Sequence, residues 1–133
     1  MKHYHFRLTQ SEREIMQLLW QMGRPLSRSE IIELTPERSW KASSIHILLN
    51  SMLEKNAIKV SGFVKSTKNY ARTFVPTMSF EEYSAMQICE SPDFKPAKIK
   101  GILQILLEDV DDPEILRQLL ELFESKRKEL EEK

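Results

Sequence analysis

Three stretches of the chain read as capping boxes, a hydroxyl residue three positions ahead of a glutamate at the head of an apolar-periodic run: Thr9-Gln10-Ser11-Glu12, Ser27-Arg28-Ser29-Glu30 and Ser79-Phe80-Glu81-Glu82. In such a capping box the hydroxyl accepts from a backbone N–H of the first helical turn, and the glutamate reaches back to the cap's own N–H, so each box marks a helix start. Behind Thr9, the residues Ile15, Met16, Leu19 and Trp20 form one buried stripe that ends at Gly23, a C-cap. Behind Ser27, past Pro25, Ile31, Ile32 and Leu34 give a helix of about two turns, closed by Thr35-Pro36 because proline cannot extend the ladder. Behind Ser79, a helix runs through Tyr83 and Met86 toward Ile88.

Between the second and third boxes, in the stretch from Trp40 to Ile58, lies a helix with two unlike faces. Ile45, Leu48, Leu49, Met52 and Leu53 follow the spacing of a core-facing stripe. Ser43, Ser44, His46, Ile47, Asn50 and Ser51 share the opposite arc, where Glu54 is the only acid. Hydroxyls and an amide can reach base edges or phosphates, and an isoleucine can lie against a thymine methyl, so this arc suits a major groove. The other reading of it is a solvated face carrying one stray isoleucine. After Lys55-Asn56, where asparagine can take a left-handed C-cap, the period changes from helical to alternating. Ile58, Val60 and Phe63-Val64 read as one strand, Lys65 to Asn69 as a polar turn, and Tyr70 to Val75 as a returning strand. A helix-turn-helix followed by a β-hairpin is a winged helix. Lys65 and Lys68 at the hairpin tip, Arg72 on the returning strand, and Arg28, Arg38 and Lys41 are the cations expected to fix its register on phosphates.

Charge is distributed unevenly over the 133 residues. The formal net charge is zero, yet residues 1–75 hold 12 Lys/Arg against 6 Asp/Glu, while residues 76–133 hold 8 against 14. A basic half joined to an acidic half suggests a polyanion-binding region coupled to a second task, although opposite halves can also attract each other. Cys89 is the single cysteine, so neither a disulfide framework nor a cysteine metal cluster is available. His3 and His5 read as an ordinary terminus. No apolar run approaches the ~18 residues of a membrane span, and the N-terminus lacks a signal-peptide layout, so a soluble, cytoplasmic protein is expected.

Beyond a hinge at Cys89 to Pro96 the pattern turns strongly apolar. Ile99, Ile102, Leu103, Leu106, Leu107 and Val110 predict one helix. After Asp112 as N-cap and Pro113 at the first helical position, Ile115, Leu116, Leu119, Leu120, Leu122 and Phe123 predict another. A two-helix hairpin cannot bury both stripes alone, so a second copy of the chain is the expected cover, with folding back onto the winged helix as the alternative. The expected organisation is a winged-helix DNA-binding domain over 1–78 and a helical dimerisation region over 79–133. The fold class is thus mainly α with a small β-hairpin.

The chain resembles the penicillinase-repressor family of winged-helix regulators, which includes methicillin-resistance and copper-responsive repressors. The resemblance rests on Leu8-Thr9 through Ile15-Met16 with Leu19-Trp20, on Ser29-Glu30-Ile31-Ile32, on Trp40 followed by Ser44-Ile45 and Leu48-Leu49-Asn50, and on Pro76 with Ser79 and Glu81-Glu82-Tyr83. It implies a homodimeric repressor on a palindromic promoter site, contacts to DNA from Ser43 and Ser44, and a membrane sensor-protease as a partner acting on members of the family. This chain departs from the family where Ser51 replaces Arg or Lys, Ile47 replaces Thr, His46 replaces a basic residue and Lys41-Ala42 replaces Ser-Pro. The stretch Leu103 to Asp109 also lacks the Asn-Phe pair at which antibiotic-responsive members are cleaved.

Two other classes bear weighing. A winged helix that has lost DNA binding could use the Ile47 face to hold a protein. An enzyme finds little support: there is no Gly-rich phosphate loop, no nucleophile beside a base, and no residue set calling for a metal or cofactor.

Overall fold

The computed structural model describes residues 6–133; His3 and His5 lie outside them. The described chain falls into two compact units, one reaching Pro92 and one from Asp93 to Lys133.

The first unit begins with α1 (Gln10–Met22), whose capping box closes as its sequence dictates. Glu12 N–H donates to the Thr9 hydroxyl at 3.3 Å and Thr9 N–H to the Glu12 carboxylate at 2.8 Å. Gly23 ends the helix at φ 64°, a left-handed conformation open to glycine at no steric cost. Leu26 and Ser27 form a short strand, β1, and Ser27 at once caps α2 (Arg28–Glu33) with Glu30. The loop that follows is tied to α1 by the Ser39 N–H, which donates to Glu14 at 3.0 Å.

The third helix starts later than its sequence suggests. Ala42–Ser44 is a turn of 3-10 helix and α3 proper spans Ile45–Glu54. Lys41 stands at the cap position and its side chain accepts nothing, so the orphan groups are met by a tighter bond from Ser44 N–H to the Lys41 carbonyl, 2.8 Å. The helix ends with Asn56 at φ 63°, the left-handed C-cap its sequence allows. Strands β2 (Ile58–Lys65) and β3 (Tyr70–Pro76) make the hairpin, with an irregularity between Val60 and Gly62 that shifts the register by one residue.

The sheet has three strands rather than two. β1 pairs antiparallel with β3, Leu26 opposite Phe74 and Ser27 opposite Thr73, so β3 is central in the order β1-β3-β2. Ile15, Met16, Leu19, Leu26, Ile31, Met52, Ile58 and Phe74 form the fully buried centre. Leu18 is buried beside them, which widens the α1 stripe beyond the four residues its spacing picks out. The last element of the unit is α4 (Phe80–Cys89), opened by the third capping box. The Trp20 indole donates to the Met78 carbonyl at 2.9 Å and stacks edge-on against Phe80, while Phe6 stacks on Tyr83. Packing therefore places α4 with the winged helix, whereas the sequence grouped it with the region from 79 onward.

The second unit is a pair of helices, α5 (Ile99–Leu106) and α6 (Pro113–Glu131). A single 3-10 turn over Pro96–Lys98 leads into α5. Asp112 caps α6 by accepting from Glu114 N–H at 3.0 Å, with Pro113 in the first turn. No residue of either helix is buried, and Leu106, Leu120, Leu122 and Phe123 are openly exposed. α5 stops before Val110, because Glu108, Asp109 and Asp111 cluster where the negative end of the helix dipole disfavours carboxylates.

Candidate nucleic-acid interface

The outward arc of α3 divides into a crest and two flanks. Ser43, Ile47 and Asn50 stand on the crest, with Ile47 73% exposed although no apolar neighbour requires it there. Ser44, at the end of the 3-10 turn, and Ser51, on α3, are both half-buried, and Ser51 lies on the flank toward Glu12 of α1. Ser51 helps hold the Glu12 carboxyl in its charged form, so its hydroxyl serves the interior rather than the outer arc.

His46 occupies the other flank. The Arg28 guanidinium lies 3.2 Å from its Nδ1 and also against Nε2. Guanidinium offers only donors, so a ring nitrogen of His46 is the acceptor in this contact. A cleft runs between this flank and the hairpin, lined by Arg28, Ser29, His46, Asn50, Tyr70 and Arg72 among others. Four of the sequence candidates are thereby brought together. Ser29, Ser66, Asn69 and Tyr70 are polar lining residues that the sequence did not propose for the site. Tyr70 could have been found from alternation alone, since it sits two residues before Arg72 and so shares its face.

The remaining cations have distinct situations. Lys65 ends β2 and Lys68 sits in the turn, which is closed by bonds from Ser66 N–H and its hydroxyl to the Asn69 carbonyl at 2.6 and 2.7 Å. Lys41 is exposed at the entrance to α3. Arg72 lies over the Phe74 ring, 5.4 Å from its centroid. Arg38 is committed inward. It donates to the Ile32 and Thr35 carbonyls at 3.3 and 3.1 Å and covers the Trp40 ring at 5.3 Å, so its first task is to close α2 and shield a buried tryptophan.

Acids and bases are sorted across this surface. Arg24 is paired with Glu30 and Lys55 with Glu12, each below 3 Å. Among the described residues, Arg28, Lys41, Lys65, Lys68 and Arg72 have no carboxylate partner. From Lys55 to Phe80 the chain contains no Asp or Glu at all. A cleft and hairpin with unpaired cations beside a polar helix crest attract a polyanion and can seat a groove-reading helix.

Three helices, the third presented outward, with a three-stranded sheet whose hairpin projects beside it, define a winged-helix protein. The chain belongs to the penicillinase repressor family, whose model matches residues 8–122. The family is one of transcriptional repressors. A Latilactobacillus sakei protein described as "Uncharacterized 16.5 kDa protein in ptsI 3'region" is 35% identical over 80 residues, 60% of this chain. The match spans 50% of that protein's length. Among the described residues, no helix is long and apolar enough to cross a membrane.

Proposed function

We propose that this chain is a sequence-specific transcriptional repressor that binds a palindromic promoter operator as a homodimer. The observation that carries the reading is the outward crest of α3 and the turn before it, where Ser43, Ile47 and Asn50 are presented beside cations that have no carboxylate partner among the described residues. In this reading α3 enters the major groove, Asn50 pairs with an adenine edge and Ile47 rests on a thymine methyl. Lys41, Lys65, Lys68 and Arg72 hold phosphates, and occupancy of the promoter blocks polymerase. The stripes of α5 and α6, including Ile99, Ile102, Leu103, Leu106, Leu107, Ile115, Leu116, Leu119, Leu120 and Phe123, cover one another across the two-fold axis. That spaces two recognition helices about 34–36 Å apart, one turn of DNA. The protein acts in the cytoplasm. Release by a sensor-protease would need a bond other than Asn-Phe, which the 103–109 stretch lacks.

One observation favours a second reading. The α3 crest carries no Lys or Arg while Ile47 is bare, which also suits a protein partner. Fluorescence anisotropy separates the two: the protein is titrated against duplex from upstream of its own gene and against a shuffled duplex, at two salt concentrations. Preference for the upstream duplex that persists at the higher salt is expected. Equal binding to both that vanishes with salt would move the interaction module to the front.

A further inference from the structure

The hairpin carries two large aromatic side chains that the fold does not use. Phe63 is 65% exposed and Tyr70 is 71% exposed, on a chain that buries Phe74, Tyr83 and Phe6. Their positions are linked by the strand register: Phe63 lies opposite Arg72 and Lys65 opposite Tyr70. Residues two apart on a strand, and residues directly opposite each other, share a face, so these four side chains form one surface with alternating aromatic and cationic character. Tyr70 and Arg72 also line the cleft beside α3, which places this surface on the same side of the wing as the recognition helix.

We propose that this face of the wing is an aromatic wedge for the minor groove of duplex DNA, with Phe63 and Tyr70 pressed against sugars and a base step while Lys65 and Arg72 hold the flanking phosphates. The inference rests on the DNA-binding reading above and adds to it how the wing would discriminate. The choice of a polyanion follows from charge: among the described residues neither Lys65 nor Arg72 has a carboxylate partner, and no acid lies between Lys55 and Phe80. The choice of the minor groove follows from the kind of side chain, since apolar residues that wedge between base steps enter from the minor groove. Apolar side chains inserted there unstack a base step, and pyrimidine–purine steps yield most readily, so the wing would select deformable sequence without reading base edges.

The test uses the full chain and a duplex from upstream of its gene, labelled at both ends so that affinity and bending are read together. Phe63→Ala and Tyr70→Ala, each exposed enough to leave the melting temperature unchanged, should each weaken binding about ten-fold and reduce the bend. Their salt dependence should match the parent, since an apolar contact releases no counterion, whereas Lys65→Ala should lower the slope by about one. Tyr70→Phe should retain the parent affinity. Parent-like affinity and bend in both alanine variants would overturn the wedge while leaving DNA recognition intact. Tighter binding of the parent to single-stranded oligonucleotide than to duplex would overturn it in favour of a base-stacking platform. Failure of the parent itself to prefer any duplex would remove both the wedge and the repressor reading.

Discussion

At the scale of single residues, the most consequential pair is Glu12 with Lys55. Glu12 is 1% exposed, yet it stays ionised. Burial pushes its carboxyl up, but Lys55 at 2.6 Å, the Thr9 N–H, the Ser51 hydroxyl and the Thr9 hydroxyl together outweigh burial and hold it below its ordinary value. Lys55 also donates to the Arg7 carbonyl at 3.0 Å, so the last turn of α3 is bolted to the first turn of α1 and to the strand of chain before it. A carboxyl depressed in the folded state contributes stability that is present above its unfolded pKa and is lost as pH falls through the folded one. Lys55→Met should therefore cost about 2–3 kcal/mol at pH 7, where a buried carboxylate loses its partner. In urea titrations the gap between variant and parent should narrow as the pH is lowered below the ordinary carboxylate range. A gap that stays constant with pH would mean that Lys55 matters only through its packing. The pairing was not legible in the sequence, because Glu12 reads as a capping residue, and nothing local reveals that a lysine 43 positions away is its second partner.

At the scale of elements, what could be read depended on how far apart the determining residues lie. The three capping boxes are complete within four residues, and α1, α2 and α4 begin where they say. The left-handed turn at Asn56 is equally local, and it sets the angle at which the wing leaves α3. Asn56→Ala places a Cβ-bearing residue without asparagine's local hydrogen bonding at φ 63° and should lower stability by about 1 kcal/mol, whereas Asn56→Gly should hold or raise it. Denaturant midpoints of the two variants check this, and an equal loss in both would assign the cost to the asparagine side chain. By contrast β1 was invisible: two residues cannot display alternation, and their strand character comes from Phe74 and Thr73, far along the chain. On α3, the helical projection correctly separated core from surface but not crest from flank. Ser51 turns out half-buried beside Glu12 of α1, and Ser44 falls in the 3-10 turn before the helix; projection of one helix carries no knowledge of its neighbour. Arg38 reads the same way, as a cation available for phosphate until the carbonyls it closes are in view.

At the scale of the whole molecule, the opposed charges of the two sequence halves and the uncovered stripes of α5 and α6 concern assembly. Under the dimer reading, replacing Leu106 and Phe123 together by aspartate should convert a dimer to a monomer in light scattering. Affinity for a two-half-site duplex should then fall on the order of 100-fold, since the second recognition helix is no longer held near its site. A double variant that remains dimeric would place the interface elsewhere. The first unit should be untouched by the change, having its own core. Because β3 is bonded on both edges, the base of the wing cannot slide without dragging β1, and β1 ends in Ser27, the residue that starts α2. Wing and α2 thus form a single lever whose fulcrum is Thr73 and Phe74. A displacement of the β3 base therefore carries Ser27, and with it the first turn of α2, along with the wing.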